Sequence, residues 1–109
     1  MKYLAYLILF VSSIVSAQTA SWYGPGFHGK RTANGEVFNQ NALTAASNSH
    51  RMGTNLLVTN VTNGKSVKVK VNDTGGFRKY GRTLDLSKGA FSKIASVNQG
   101  IIKVKIQQL

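Results

Sequence analysis

Between Ser66 and Val71, three valines (Val67, Val69, Val71) alternate with two lysines (Lys68, Lys70). A strand with that period carries an apolar face and a basic face. The valines then have to be buried against apolar groups from elsewhere in the chain, while the lysines stay wet. Ile102, Val104 and Ile106 repeat the pattern with Lys103 and Lys105. The pair Asn63-Gly64 closes a hairpin between the first of these strands and a strand over Asn55–Asn60, which Gly53 opens. Thr19–Tyr23, Ala42–Ala46 and Arg82–Leu86 read as further strands. Ser87 can cap a short helix with Ala90, Phe91, Ile94 and Ala95 on one face, and Gly100 ends the connection to the last strand. Six short strands, one short helix and glycine at the corners define an all-β fold, a small barrel.

The chain of 109 residues holds one domain at most. Lys2, the apolar run Tyr3–Val15 and the small residues Val15-Ser16-Ala17 have the layout of a signal peptide cleaved after Ala17. The run is too short for a membrane span. Residues 18–109 are then the mature domain, exported to the periplasm or the outer cell envelope. There is no cysteine. Disulfides and a thiol nucleophile are excluded, and a lipidated junction is too, so the protein is not expected to be a lipoprotein. With His28 and His50 as the only strong metal ligands, no metal and no cofactor are expected. The formal charge is +11, one less once Lys2 leaves with the leader. Such an excess points to a polyanionic neighbour, which for an exported chain is an anionic wall polymer or a membrane surface. A solvated face that only keeps the protein soluble is the plain alternative.

Chemistry has few places to sit. The acids are Glu36, Asp73 and Asp85. One further step of the valine alternation puts Asp73 on the apolar side, at the strand end, before Gly75-Gly76. It serves either as a functional carboxylate or as a turn acceptor for the glycine backbone. Glu36 follows the Asn34-Gly35 turn in a long shaped loop, Phe27–Gln40, with Lys30 or Arg31 as a nearby partner. Helix capping or pairing with Arg82 accounts for Asp85. Trp22, Tyr23, Phe27, Phe38, Phe77 and Tyr80 sit near the turns, where aromatic faces suit sugars or bases; Phe38 and Phe77 are expected to fill the core. No nucleophile elbow, triad or phosphate loop is present.

Five ordered stretches resemble the rare lipoprotein A (RlpA)-like double-psi β-barrel family. They are Ala20–Gly29, Arg31–Phe38, Ala42–Ala46, Val71–Phe77 and Arg82–Ser87, and they cover nearly all of the mature chain. The resemblance implies a six-stranded double-psi barrel with one short helix. It also implies a peptidoglycan lytic transglycosylase, which cuts the glycan after N-acetylmuramic acid and leaves a 1,6-anhydro end. Asp73 falls on the family's catalytic aspartate and Glu36 on the acid of its Thr-Ala-Asn-Gly-Glu motif. Tyr23, Thr32, Ser47 and Asn72 are carried over as substrate-binding positions. Peptidoglycan glycan strands are the implied partner; the domain is expected to act as a monomer, without nucleic acid. Two departures from the family pattern matter most, and His50-Arg-Met-Gly53 also replaces its usual Leu-Pro-Leu-Gly. Ser47 stands where the family has a histidine thought to assist catalysis, with His50 or His28 as possible substitutes. Thr74 stands where the family has an arginine. Ser47 motivates a second reading, an expansin-like module that binds peptidoglycan without cutting it.

Overall fold

The computed structural model describes residues 18–23, 26–74 and 83–109. The leader, the Gly24-Pro25 break, the Gly75-Gly76 turn, Phe77, Tyr80 and Arg82 lie outside the described residues. The elements are β1 (Gln18–Tyr23), β2 (Thr44–Ser47), β3 (Asn55–Asn60), β4 (Ser66–Asp73), β5 (Leu84–Ser87), helix α1 (Lys88–Ile94), a 3-10 turn (Val97–Gln99) and β6 (Ile101–Gln108). They close into a barrel in the order β1-β5-β2-β4-β3-β6. Two neighbouring pairs are parallel, β1 with β5 and β2 with β4; the other four are antiparallel. This is the double-psi arrangement that the motif order implies.

The alternation does its work on β4: Val67, Val69 and Val71 are buried with Leu56, Val58, Leu84, Leu86, Ile102 and Val104. Each buried aliphatic side chain of this kind contributes roughly 1.5–3 kcal/mol. Helix α1 adds Ala90, Phe91 and Ile94 to the same cluster. Ser87 caps it as expected, its Oγ accepting from Ala90 N at 3.1 Å. Ala95, expected on the helix face, is instead the extended C-cap residue. Trp22 leans on Phe91 and donates its indole N–H to Val97 O at 3.0 Å.

Three local expectations shift. The second strand starts at Thr44 rather than Ala42, because Ala42 is used in a turn: its N–H goes to Asn39 O and its carbonyl accepts from Ser87 Oγ. The Asn63-Gly64 hairpin is a longer loop than a two-residue turn, closed by bonds from Asn60 N to Lys65 O and from Gly64 N to Asn60 O, with Gly64 at φ 75°. Third, β4 does not stop at Val71. It continues to Asp73 through a bulge: Ala45 pairs with Val71 and Ala46 with Asp73, so Asn72 is the extra residue. Burial no longer alternates there, since Val71 and Asn72 are both buried and Asp73 is half-buried.

Candidate functional site

Cross-strand pairing places the site. Ser21 pairs with Asp85, Asp85 with Ala46 and Ala46 with Asp73, so these residues form one row across β1, β5, β2 and β4. The long loop is laid onto the Asp73 end of that row. It folds back on itself through an isolated bridge between Arg31 and Val37, with bonds from Thr32 N to Glu36 O and from Phe38 N to Lys30 O. Phe38 is buried, as expected, but apart from the main cluster: its ring stacks on Tyr23 at 4.6 Å. Phe27 meets the other side of Tyr23 edge-on at 5.6 Å and is 53% exposed, so the trio ends in an open aromatic rim.

Three contacts fasten the turn of this loop to the bulge. Ala33 N donates to Asp73 Oδ1 at 2.9 Å, Asn34 N to Asn72 O at 3.3 Å, and Asn72 Nδ2 to Glu36 Oε1 at 3.1 Å. Thr74 N also donates to Asp73 Oδ1, at 2.9 Å. One carboxylate oxygen of Asp73 is thus held by two backbone amides. Among the described residues, no donor is bonded to Oδ2. The expected contact with the glycine backbone falls outside the described residues; the acceptor role itself is filled by Ala33 and Thr74.

Glu36 pairs with Lys70, not with Lys30 or Arg31: Lys70 Nζ lies 2.8 Å from Oε2. Arg31 instead holds Gly35 O. The Lys70 ammonium, with the Asn34 and Asn72 amides, lowers the Glu36 carboxyl from 4.5 to about 2, so it is ionised at any ordinary pH. Thr32 is 6% exposed and its hydroxyl is spent inside the turn, on Asn34 Oδ1 at 2.5 Å.

Two buried polar atoms at this place have no hydrogen-bond partner among the described residues, the Tyr23 hydroxyl and Asn72 Oδ1. Glu36 is ionised and only accepts, so Asn72 must turn its amide nitrogen to it and leave Oδ1 unused. Burial raises the Tyr23 phenol well above its ordinary value; the negative charges of Asp73 and then Asp85 raise it further, as does the approach of its hydroxyl to the Asp73 carboxyl, which falls short of full hydrogen-bond geometry. Asp85 itself accepts from Ser21 Oγ, its partner in the row; it is Ser87, not Asp85, that caps the helix.

Ser47 ends β2 one residue beyond the partner of Asp73 and is 1% exposed. Its Oγ accepts from Ser49 N and His50 N, both at 3.1 Å, and lies 3.3 Å from His50 Nδ1. With both lone pairs taken, its own proton points to Nδ1, which puts the neutral His50 proton on Nε2. His28 Nδ1 likewise accepts, from Gln40 N at 3.2 Å. His50 is the site residue that strand reading does not find; its signal is the Ser-x-x-His spacing after a strand. No three His, Asp or Glu side chains converge on a metal position among the described residues.

A closed barrel with two parallel strand pairs, carrying an aspartate at a bulged strand end beneath a loop with an aromatic rim, has the make-up of a double-psi barrel. Residues 15–106 match the family model described as lytic transglycolase. Curated relatives include the endolytic peptidoglycan transglycosylase RlpA of Campylobacter jejuni, 54% identical over 81% of this chain, and that of Neisseria meningitidis, 46% identical over 91%. A probable enzyme of the same name from Synechocystis is 56% identical over 80%. The aligned region makes up 32%, 41% and 27% of those three proteins in turn, so the chain spans about a third of their length. Among solved structures, apo Clavibacter michiganensis expansin superposes with a TM-score of 0.68 at 26% identity, over 88% of this chain and 50% of that one. The chain belongs to the RlpA-like double-psi β-barrel family of lytic transglycolases.

Proposed function

We propose that the protein is an exported peptidoglycan lytic transglycosylase that works as a monomer in the cell envelope and leaves 1,6-anhydro ends. Family membership supports the reaction class. The observation that carries the assignment to this site is the state of Asp73: two backbone amides fix one of its oxygens, and it lies beside Tyr23 and Asn72, whose buried hydroxyl and Oδ1 have no full hydrogen bond among the described residues. A sugar supplies what those atoms lack. Its hydroxyl or acetamido N–H gives Asn72 Oδ1 a donor, and a ring or hydroxyl oxygen takes the Tyr23 proton.

In this mechanism, Asp73 as general acid gives a proton from Oδ2 to the glycosidic oxygen as the C1–O bond breaks. The C6 hydroxyl of the same sugar attacks C1 and forms the anhydro ring. Its proton then goes back to Asp73, so the carboxyl ends as it began. The nucleophile belongs to the substrate, which removes the need for a second carboxylate to activate water. His50, with Ser47 at its Nδ1, serves as a positioning residue rather than as the acceptor of the C6 proton. Ser47 acts on substrate through His50, which it orients. Fixed as an anion, Glu36 stabilises positive charge developing at C1, while Thr32 and Asn72 hold Glu36 and the loop in place.

The test is digestion of peptide-free glycan strands with the purified chain and mass spectrometry of the products. Anhydro-ended fragments support the proposal; reducing ends, or no release, refute it. Binding to sacculi without any released fragment is the outcome that favours the expansin-like module, the reading motivated by Ser47.

A further inference from the structure

We infer that the outer wall formed by β4, β3 and β6 is a second binding surface, separate from the cleft, for a phosphodiester-linked wall polymer. The barrel order puts β3 between β4 and β6, which brings together lysines that are distant in the sequence. Leu57 on β3 pairs with Lys68 on one side and Gln107 on the other; Thr59 pairs with Ser66 and Lys105. Lys68 and Lys105 therefore flank one strand on a diagonal, roughly 12 Å apart at the usual strand spacing and rise. Lys103 lies two residues along from Lys105, on the same face, and Lys65 sits at the hairpin end.

Among the described residues, none of these lysines is in an ion pair. Of the three acids in the chain, Glu36 is taken by Lys70, Asp73 by backbone amides and Asp85 by Ser21. Among the described residues, the only ion pair is that of Lys70. The same wall contains a shallow hollow of about 310 Å3 lined by Leu57, Thr59, Lys105, Ile106 and Gln107. Its floor offers methyl groups to the carbon skeleton of a bound chain, and its margin offers ammonium groups to the anions.

The chemistry of the surface selects the ligand. Ammonium groups act as point charges and suit phosphate; among the described residues of this wall there is no arginine, whose planar fork pairs with carboxylates in bidentate fashion. The described residues of the three strands include no aromatic side chain either, so they offer no platform on which bases could stack. A flexible polyol or sugar chain linked by phosphodiesters fits both facts. Lys70 marks the border with the cleft, so one envelope surface can occupy both sites.

The experiment measures binding of the purified chain to poly(glycerol phosphate) as a function of salt, with neutral dextran and oligo-dT as comparison polymers. A triple variant, Lys68→Gln/Lys103→Gln/Lys105→Gln, should bind at least tenfold more weakly. The slope of log affinity against log salt should fall by about two, near 0.7 per cation removed. Cleavage of short peptide-free glycans should not change, and this arm separates the proposal from the transglycosylase reading. Equal binding by the triple variant overturns the inference, as does an equal loss in a Lys30→Gln/Arg31→Gln/Lys93→Gln control. Tighter binding of oligo-dT, lost in the triple variant, assigns the wall to nucleic acid instead.

Discussion

Asp73→Asn separates the chemical role of the carboxyl from its structural one. The substitution keeps an oxygen where Oδ1 stands, so Ala33 N and Thr74 N retain their acceptor at 2.9 Å. What changes is that two bonds to a charged group become bonds to a neutral one. At about 1.5–3 kcal/mol for the former and 0.5–1.5 for the latter, the difference is roughly 1 kcal/mol per bond. Both amides lie near solvent, which replaces part of the loss, so the net cost should stay near 1 kcal/mol. Asp73→Ala deletes both bonds and frees the loop at Ala33, and should cost more, about 2 kcal/mol. Activity should order differently. A positioned general acid contributes roughly 10²–10⁴-fold, and neither variant has one, so both should lose anhydro product by that factor. Urea unfolding and a timed glycan digest read the two quantities. An active Asp73→Asn protein would falsify the acid role; an Asn variant as unstable as the Ala variant would show that Oδ1 does not anchor the loop.

Gly89→Ala should destabilise, although alanine is the better helix former by roughly 1 kcal/mol. The added Cβ would stand 2.5 Å from Asn41 O and 2.8 Å from Asn41 C, backbone atoms of the loop that Gly89 N holds through Gln40 O. A net loss of about 1–2 kcal/mol in urea is expected, and a gain refutes the close approach. For Glu36, the folded value lies below the unfolded one. Its contribution is therefore complete above about 4.5 and is lost as pH falls through about 2. Carboxyl NMR should follow this, and Lys70→Met should return the titration towards 4.5. His50→Gln keeps a donor but no imidazole; it should lower cleavage less than tenfold, whereas a loss of a hundredfold or more makes His50 the proton acceptor. Alkaline titration by absorbance should find the Tyr23 phenol still protonated where exposed tyrosines have ionised.

What could be read from the sequence was what depends on near neighbours. Period-two burial in β4 and β6, the serine cap of α1 and the hairpin at Gly64 each involve residues a few positions apart. The site was legible only in part, because it is made by pairings between distant strands. Nothing local says that Asn72 is an extra residue, since the bulge is defined by Ala45 and Ala46 on another strand. The same applies to Glu36, whose partner proved to be Lys70, 34 positions away, rather than its neighbours Lys30 and Arg31. Phe38 reads as a core residue by composition, yet its burial comes from stacking on Tyr23. The clustering of Lys68 with Lys105 likewise needs the barrel order, which places β3 between them.

The row from Ser21 through Asp85 and Ala46 to Asp73 has a consequence in time. Its first contact joins positions 64 apart, between the beginning of the barrel and its fifth strand. The Asp73 carboxyl acquires its fixed oxygen only when a loop 40 residues earlier comes down upon it. A chain still threading, or stalled with the barrel open, carries every residue of the site and none of its geometry. The proposed ability to cut should therefore appear all at once, when the barrel closes, and a half-made molecule should be inert towards glycan.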